Sequence, residues 1–198
     1  MKKDMVIGIV GTAILVTAMV GVFRFEAGQT GSSFDVAFPT TASFTTSETG
    51  RTTLDAPTPL QVDVNASNLT RVVWTLTWTD DEPTSTGADT LVLKVTSPSG
   101  KTQEAQAANG TVTVVFEDLN PPPAPARLAG SDRAAAEARA RDLYTTTGGA
   151  GAWNVTVTVA STGAQQVPNP GLPVPIDDGN DWTLGVEGQS YRAELTPA

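Results

Sequence analysis

Apolar and polar residues alternate along most of the chain beyond residue 54, in short runs that are typical of β-strands. The clearest run is "RVVWTLTWTD", in which Trp74, Leu76 and Trp78 share one face and threonines occupy the other. A second run, "GAWNVTVTVAS", repeats the pattern from Trp153 through alternate valines. Strict alternation places one set of side chains on a core and the other in solvent. About eight such runs predict a mainly β protein.

The connections between these runs indicate that neighbouring strands are antiparallel. Asn109-Gly110 is a strong two-residue hairpin signal, and "SPSG" at 97–100 has Pro and Gly where a type I turn favours them. Links this short join antiparallel strands, whereas parallel pairs need long crossovers. The sequence therefore predicts an antiparallel β-sandwich of jelly-roll or immunoglobulin-like type over 54–198.

Two segments depart from this alternation. Residues 120–149 open with prolines, close with glycines and are Ala-rich between, which predicts an insertion with a short helix over 131–144. Residues 27–53 are rich in Ser and Thr, which is typical of a solvated linker. Alternating Phe34, Val36 and Phe38 favour an edge strand at 33–38 within that linker.

The first 26 residues predict a membrane segment rather than part of the β domain. Residues 5–23 carry no charge, and a helix of that length spans roughly 28 Å, close to the thickness of a bilayer core. Lys2 and Lys3 precede it, so the positive-inside rule predicts a cytoplasmic N-terminus and an extracytoplasmic C-terminal domain. An uncleaved signal-anchor is favoured over a removed signal peptide, because the apolar run is long and the nearest cleavage site has the bulky Phe25 where a small residue is required.

Composition excludes several function classes. The net charge of −9 disfavours nucleic-acid binding, which needs clustered Lys and Arg. The chain contains neither Cys nor His, which removes transition-metal sites, Cys nucleophiles and Ser-His-Asp triads. We therefore expect no enzymatic activity and no cofactor, and a surface hydrolase using paired carboxylates is a distant alternative.

Four sequence triplets match the acceptor for N-glycosylation. They begin at Asn65, Asn68, Asn109 and Asn154, all in predicted turns or on outward strand positions. In a bacterium such triplets usually have no meaning, whereas in an archaeon or a eukaryote they agree with an extracytoplasmic domain. These four asparagines are the candidate glycosylation sites.

An acidic run, "DDGND", suggests the only metal chemistry open to this chain. Asp177, Asp178 and Asp181 surround a glycine, and calcium prefers several carboxylate oxygens around such a turn. The run lacks EF-hand spacing, and Asp, Asn and Gly are also what ordinary turns contain. A weak calcium site and a plain solvated turn are the two interpretations.

The stretch 91–160 resembles a known class of secreted module. Its "LVLKVTSPSG", "NGTVTVVFEDL" and "GGAGAWNVTVTVAS" are similar to the P domain of subtilisin-type convertases and to other jelly-roll or Greek-key accessory modules. The resemblance implies a β-sandwich fold and assigns no functional residue.

Together these features predict a membrane-anchored, extracytoplasmic structural or protein- or glycan-interaction module without catalytic activity. Its anchor is residues 5–23. The alternative is an accessory subunit of a membrane complex, in which the same helix is the docking element.

Overall fold

The computed structural model describes residues 31–79, 85–86, 88–162, 164–165 and 179–198, which form thirteen strands and one helix. The strands are β1 (Ser32–Ala37), β2 (Thr40–Thr53), β3 (Thr58–Val64), β4 (Leu69–Trp78), β5 (Ser85–Thr86), β6 (Thr90–Thr96), β7 (Thr102–Ala107), β8 (Thr111–Phe116), β9 (Ala126–Gly130), β10 (Gly151–Ser161), β11 (Ala164–Gln165), β12 (Gly179–Tyr191) and β13 (Glu194–Pro197). The helix, α1, is Arg133–Tyr144.

The strand pairs with assigned register are antiparallel, which confirms the predicted mainly β, antiparallel class. The described strands form two four-stranded sheets, one three-stranded sheet and one two-stranded pair. Contacts divide the chain into two compact units. The larger unit contains residues 38–124 and 144–194, and the described part of the smaller unit contains 31–37, 125–143 and 195–198.

The larger unit contains both four-stranded sheets, in the orders β3-β10-β6-β7 and β2-β12-β4-β8. Their inward faces share one hydrophobic core, so the arrangement is sandwich-like. Trp153 lies at its centre, fully buried, with its ring 5.4 Å from the ring of Trp74 and 4.8 Å from that of Phe116. The indole N–H of Trp153 donates to the carbonyl of Gly149 at 2.9 Å, which satisfies its buried donor.

The predicted linker contains a long strand. Residues 40–53 form β2, which pairs with β12 from Thr40↔Tyr191 to Thr53↔Gly179. Thr is a strong strand former, so the Ser- and Thr-rich composition that resembles a linker also suits a β-strand with one solvated face. The strand predicted at 33–38 is observed as β1, but the prediction that it is an edge strand is wrong, because β1 lies between β13 and β9 in its sheet.

Strand β12 also differs from the expected pattern. Alternating runs on either side of Gly188-Gln189, "DWTLGVE" and "SYRAELT", favour two strands joined by a turn there, but β12 continues through this dipeptide, with a register shift between its two residues. The extra residue is Ser43 of β2, because Gly188 is opposite Phe44 and Gln189 is opposite Ala42. A bulge of this kind bends the strands without ending them.

The smaller unit contains a three-stranded sheet, in the order β13-β1-β9, and most of α1. The helix confirms the expectation for 131–144 and begins after Asp132, whose carboxylate accepts the N–H of Ala135 at 2.8 Å. Its buried residues are Ala136 and Ala140, one turn apart. The strand β9 was not expected, because its five residues are too few to show a period.

Across the described residues, no helix has the length and apolarity needed to cross a bilayer. The predicted membrane segment, 5–23, lies outside those residues, so that expectation remains a prediction.

Candidate functional site

A groove lies along one side of the larger unit, where the edge strands of its two sheets approach each other. Its volume is about 370 Å³, and it is lined by residues 43–46 and 48 of β2 and by residues 61–66, in and just after β3. The strands β2 and β3 are each the terminal strand of a sheet. The groove therefore lies between two strand edges that no other described strand of their sheets covers.

The free edge of β2 presents backbone hydrogen-bonding groups. The N–H of Ala56 donates to the carbonyl of Thr53 at 3.2 Å in an isolated bridge, which turns the peptide groups of Thr53 away from β12. Peptide groups alternate sides along an antiparallel strand, so those of Thr45, Ser47 and Thr49 point the same way. Among the described strands, none pairs with β2 on that side.

The free edge of β3 is arranged in the same manner. The N–H of Ser97 donates to the carbonyl of Lys101 at 2.8 Å, which sets the direction of the peptide groups in β6. Peptide groups alternate sides along each strand, and the registers of β6 with β10 and of β10 with β3 relate the three strands. It follows that the peptide groups of Gln61 and Asp63 point away from β10. Both walls of the groove thus carry peptide groups able to bind an extended chain.

The groove is acidic. Glu48 on β2 and Asp63 on β3 are both exposed, and neither forms a salt bridge within the described part of the chain. The described lining residues include neither Lys nor Arg. A ligand that brings a positive charge would therefore meet two carboxylates in the groove.

The floor of the groove is apolar, and one of its residues, Phe44, packs closely against a glycine of the neighbouring strand. Val62 and Val64 are buried, and Phe44 is half-buried against the core. Across the β2–β12 pair, Phe44 lies opposite Gly188. A methyl group on Gly188 would come within 2.7 Å of Phe44 Cζ, so the glycine leaves the space that the phenyl ring occupies.

A second, more open depression of about 630 Å³ lies over the solvent face of the β2-β12-β4-β8 sheet. Hydroxyls dominate it, because Thr49, Thr183 and Thr77 are directly opposite one another on three adjacent strands and all are exposed. Trp78 and Trp182 also border it but are nearly buried. Threonine is common at outward strand positions, so we assign this face no ligand.

Sequence reasoning missed a buried polar cluster in the same unit. The amide of Asn180 donates to the carboxylate of Asp89 at 2.5 Å, and both side chains are fully buried. Opposite Asn180 on β2 is Thr52, also buried, whose hydroxyl donates to the carbonyl of Val157 at 3.1 Å. Pairing of this kind is what allows polar groups inside a core. The run "DDGND" contained the signal for Asn180, but nothing in the sequence distinguished it from its acidic neighbours.

The calcium hypothesis receives no support from the residue that can be placed. Asp177 and Asp178 lie outside the described residues. Asp181 is exposed and forms a salt bridge with Arg51 at 3.4 Å, with its own side chain largely in solvent. Within the described ranges, no three acidic side chains form a group that could hold a metal ion.

The four candidate acceptor asparagines differ in their surroundings. Asn65, Asn109 and Asn154 are exposed, as glycosylation would require. Asn68 is only partly exposed and has a positive φ of 56°. Its side-chain oxygen accepts the N–H of Thr146 at 2.7 Å, so this residue connects two loops. Glycosylation at the three exposed sites remains a prediction.

No protein-family model matches the chain, and no curated protein matches it significantly.

Proposed function

We propose that this chain is a membrane-anchored, extracytoplasmic module that binds another macromolecule and has no catalytic activity. The observation that carries the proposal is the groove between β2 and β3, which combines an apolar floor with two strand edges and two carboxylates that no residue of the described ranges pairs with. Exposed strand edges are a recognised means of binding extended chains. Natural proteins normally protect such edges, so a long and accessible one favours an interaction role.

The membrane anchor rests on the sequence. Residues 5–23 are uncharged and of bilayer length, and Lys2 and Lys3 orient the segment with the β units outside. The absence of Cys and His supports the non-catalytic part, since the common nucleophiles, general bases and metal ligands include these residues.

The lack of cysteine allows a clean test of topology. Ala108→Cys places a single thiol on an exposed turn, and Lys3→Cys places one before the predicted anchor. A membrane-impermeant maleimide should label the cysteine at 108 in intact cells and the cysteine at 3 only after lysis. Protection of position 108 in intact cells would overturn the proposed localisation.

Crosslinking tests the interaction. Ser47→Cys, on the exposed edge of β2, is coupled to a photoreactive maleimide, and the Ala108→Cys variant carries the same reagent as the control. A discrete crosslinked species from position 47 and none from position 108 is expected. Ser47 lies on the free edge of β2, beside the groove. If position 47 yields no crosslink in the native membrane, no partner occupies that edge and the proposed binding site is rejected.

A further inference from the structure

We infer that the groove binds an extended, basic peptide segment of another protein, which pairs antiparallel with residues 45–49 of β2 as a fifth strand of its sheet. The inference rests on the proposed interaction function and adds the chemistry of the partner. It draws on the direction of the free peptide groups, the charge of the groove and the alternation of side chains along β2.

The backbone supplies the first part of the recognition. Thr45, Ser47 and Thr49 each direct one N–H and one carbonyl toward the open side, because the intervening residues use theirs on β12. An extended segment beside β2 satisfies all of these groups at once. Antiparallel pairing matches the rest of the sheet and is the more stable arrangement per residue.

The side chains of β2 set the sequence that the segment must have. Directly opposed residues in a sheet project to the same face, so residues opposite Thr46 and Glu48 project into the groove. A Lys or Arg opposite Glu48 meets a carboxylate that no described side chain pairs with, and Asp63 on the facing wall adds to the attraction. Because the pairing is antiparallel, the residue two positions C-terminal to that Lys or Arg lies opposite Thr46, where a small apolar side chain faces Thr46 and the ring of Phe44. The remaining positions face solvent and are polar.

Charge excludes a second copy of the chain as the occupant. Two β2 strands paired antiparallel with their core faces matched would place two Glu48 carboxylates on the same face, near each other. Each chain also has a net charge of −9, so the copies repel. An inward-pointing charge at a strand edge is a known obstacle to pairing between identical sheets. A basic partner turns the same charge into an attraction.

The probe for the test is the peptide Thr-Lys-Thr-Val-Thr-Val-Thr, with Thr-Glu-Thr-Val-Thr-Val-Thr as its matched control, titrated against the full chain in detergent micelles. The Lys peptide should bind at least about fivefold more tightly, since one peptide gains an ion pair where the other meets repulsion. Glu48→Lys should reverse that preference. Glu187→Lys makes the same change of charge opposite Thr45, but on the solvent face of the sheet and not the groove face, and should alter both affinities by less than about twofold.

Hydrogen exchange locates the peptide. On binding, the amides of Thr45, Ser47 and Thr49 should become protected, whereas those of Thr46 and Glu48, already bonded to β12, should change little. Ser47→Pro removes one edge N–H without touching the β12 ladder and should weaken binding at least about fivefold. Its thermal melt checks that the variant is folded.

Three outcomes would overturn the inference: no binding at millimolar peptide, equal binding of the two peptides, or protection that is confined to other strands. Each is distinct from failure of the interaction function, which the crosslink from position 47 reports independently. If a crosslinked partner is found together with any of these outcomes, the proposed interaction function is retained and the basic, extended peptide is rejected as its ligand.

Discussion

The contact between Gly188 and Phe44 gives the sharpest prediction about stability. A methyl group on Gly188 would come within 2.5 Å of Phe44 Cδ1 and 2.7 Å of Cζ, whereas carbon atoms pack best at about 3.5–4.0 Å. Cε1 of the ring would lie closer still, so the phenyl ring would have to retreat by about 1.5 Å or more. In Gly188→Ala we expect the overpacking to destabilise the fold by about 1–3 kcal/mol.

A second glycine on the same strand isolates that effect. At Gly185 the nearest atom to an added methyl is the carbonyl oxygen of Thr75 at 3.7 Å, an ordinary contact. Gly185→Ala should therefore stabilise the protein by about 0.4–1 kcal/mol, because alanine restricts the unfolded chain. Gly188→Ala gains the same entropic term, so the difference between the two variants reports the clash alone, about 1–3 kcal/mol.

Urea unfolding of the full chain in detergent, followed by tryptophan fluorescence, measures both variants. Phe44→Ala provides the third arm, since removing the ring leaves the added methyl without an obstacle. In that background, Gly188→Ala should be no worse than Gly185→Ala. Equal stability of the two single variants would refute the packing argument. So would a penalty at 188 that persists without the ring.

Two further substitutions test polar contacts by the same unfolding assay. Asp89→Ala removes the acceptor for the buried amide of Asn180 and should destabilise the fold by about 1–3 kcal/mol. Asp89→Asn keeps an acceptor oxygen and should therefore lose less stability. Equal losses of stability in the two variants would contradict the role of the hydrogen bond. Asn68→Ala should lower the free energy of unfolding by about 1–2 kcal/mol, because it removes the hydrogen bond to Thr146 and places alanine at a positive φ. Asn154→Ala, at an exposed position, should lower it by less than about 0.5 kcal/mol. The reverse order would contradict the structural role of Asn68.

The period of two along the chain was enough to predict the fold class and most of the core. Trp74, Trp153 and Leu93 all lie inward as alternation requires, because a strand with one buried face has no other way to place large apolar groups. The helix was predictable from its alanines. Strand alternation and helix propensity depend on residues that are close together in the sequence, so the sequence alone was sufficient to predict them.

The groove could not be predicted, because it depends on which strands end their sheets. Strand order is decided by contacts between residues far apart in sequence, such as Gly50 with Trp182. The strand β2 itself was missed for a different reason. Its apolar face has one large residue, Phe44, since an edge strand buries little. Without that alternation, composition alone favours a linker.

The smaller unit joins the two ends of the described chain, and this has a consequence for synthesis. The strand β1 pairs with β9 and β13, and the N–H of Ala198 donates to the carbonyl of Ser33 at 2.9 Å. A ribosome adding roughly 5–20 residues per second needs on the order of 10–30 s to proceed from β1 to β13. Throughout that interval Phe34 and Val36 lack their complete sheet. Folding of this unit therefore cannot be complete before β13 has been synthesised, and until then the nascent chain leaves β1 open to chaperones.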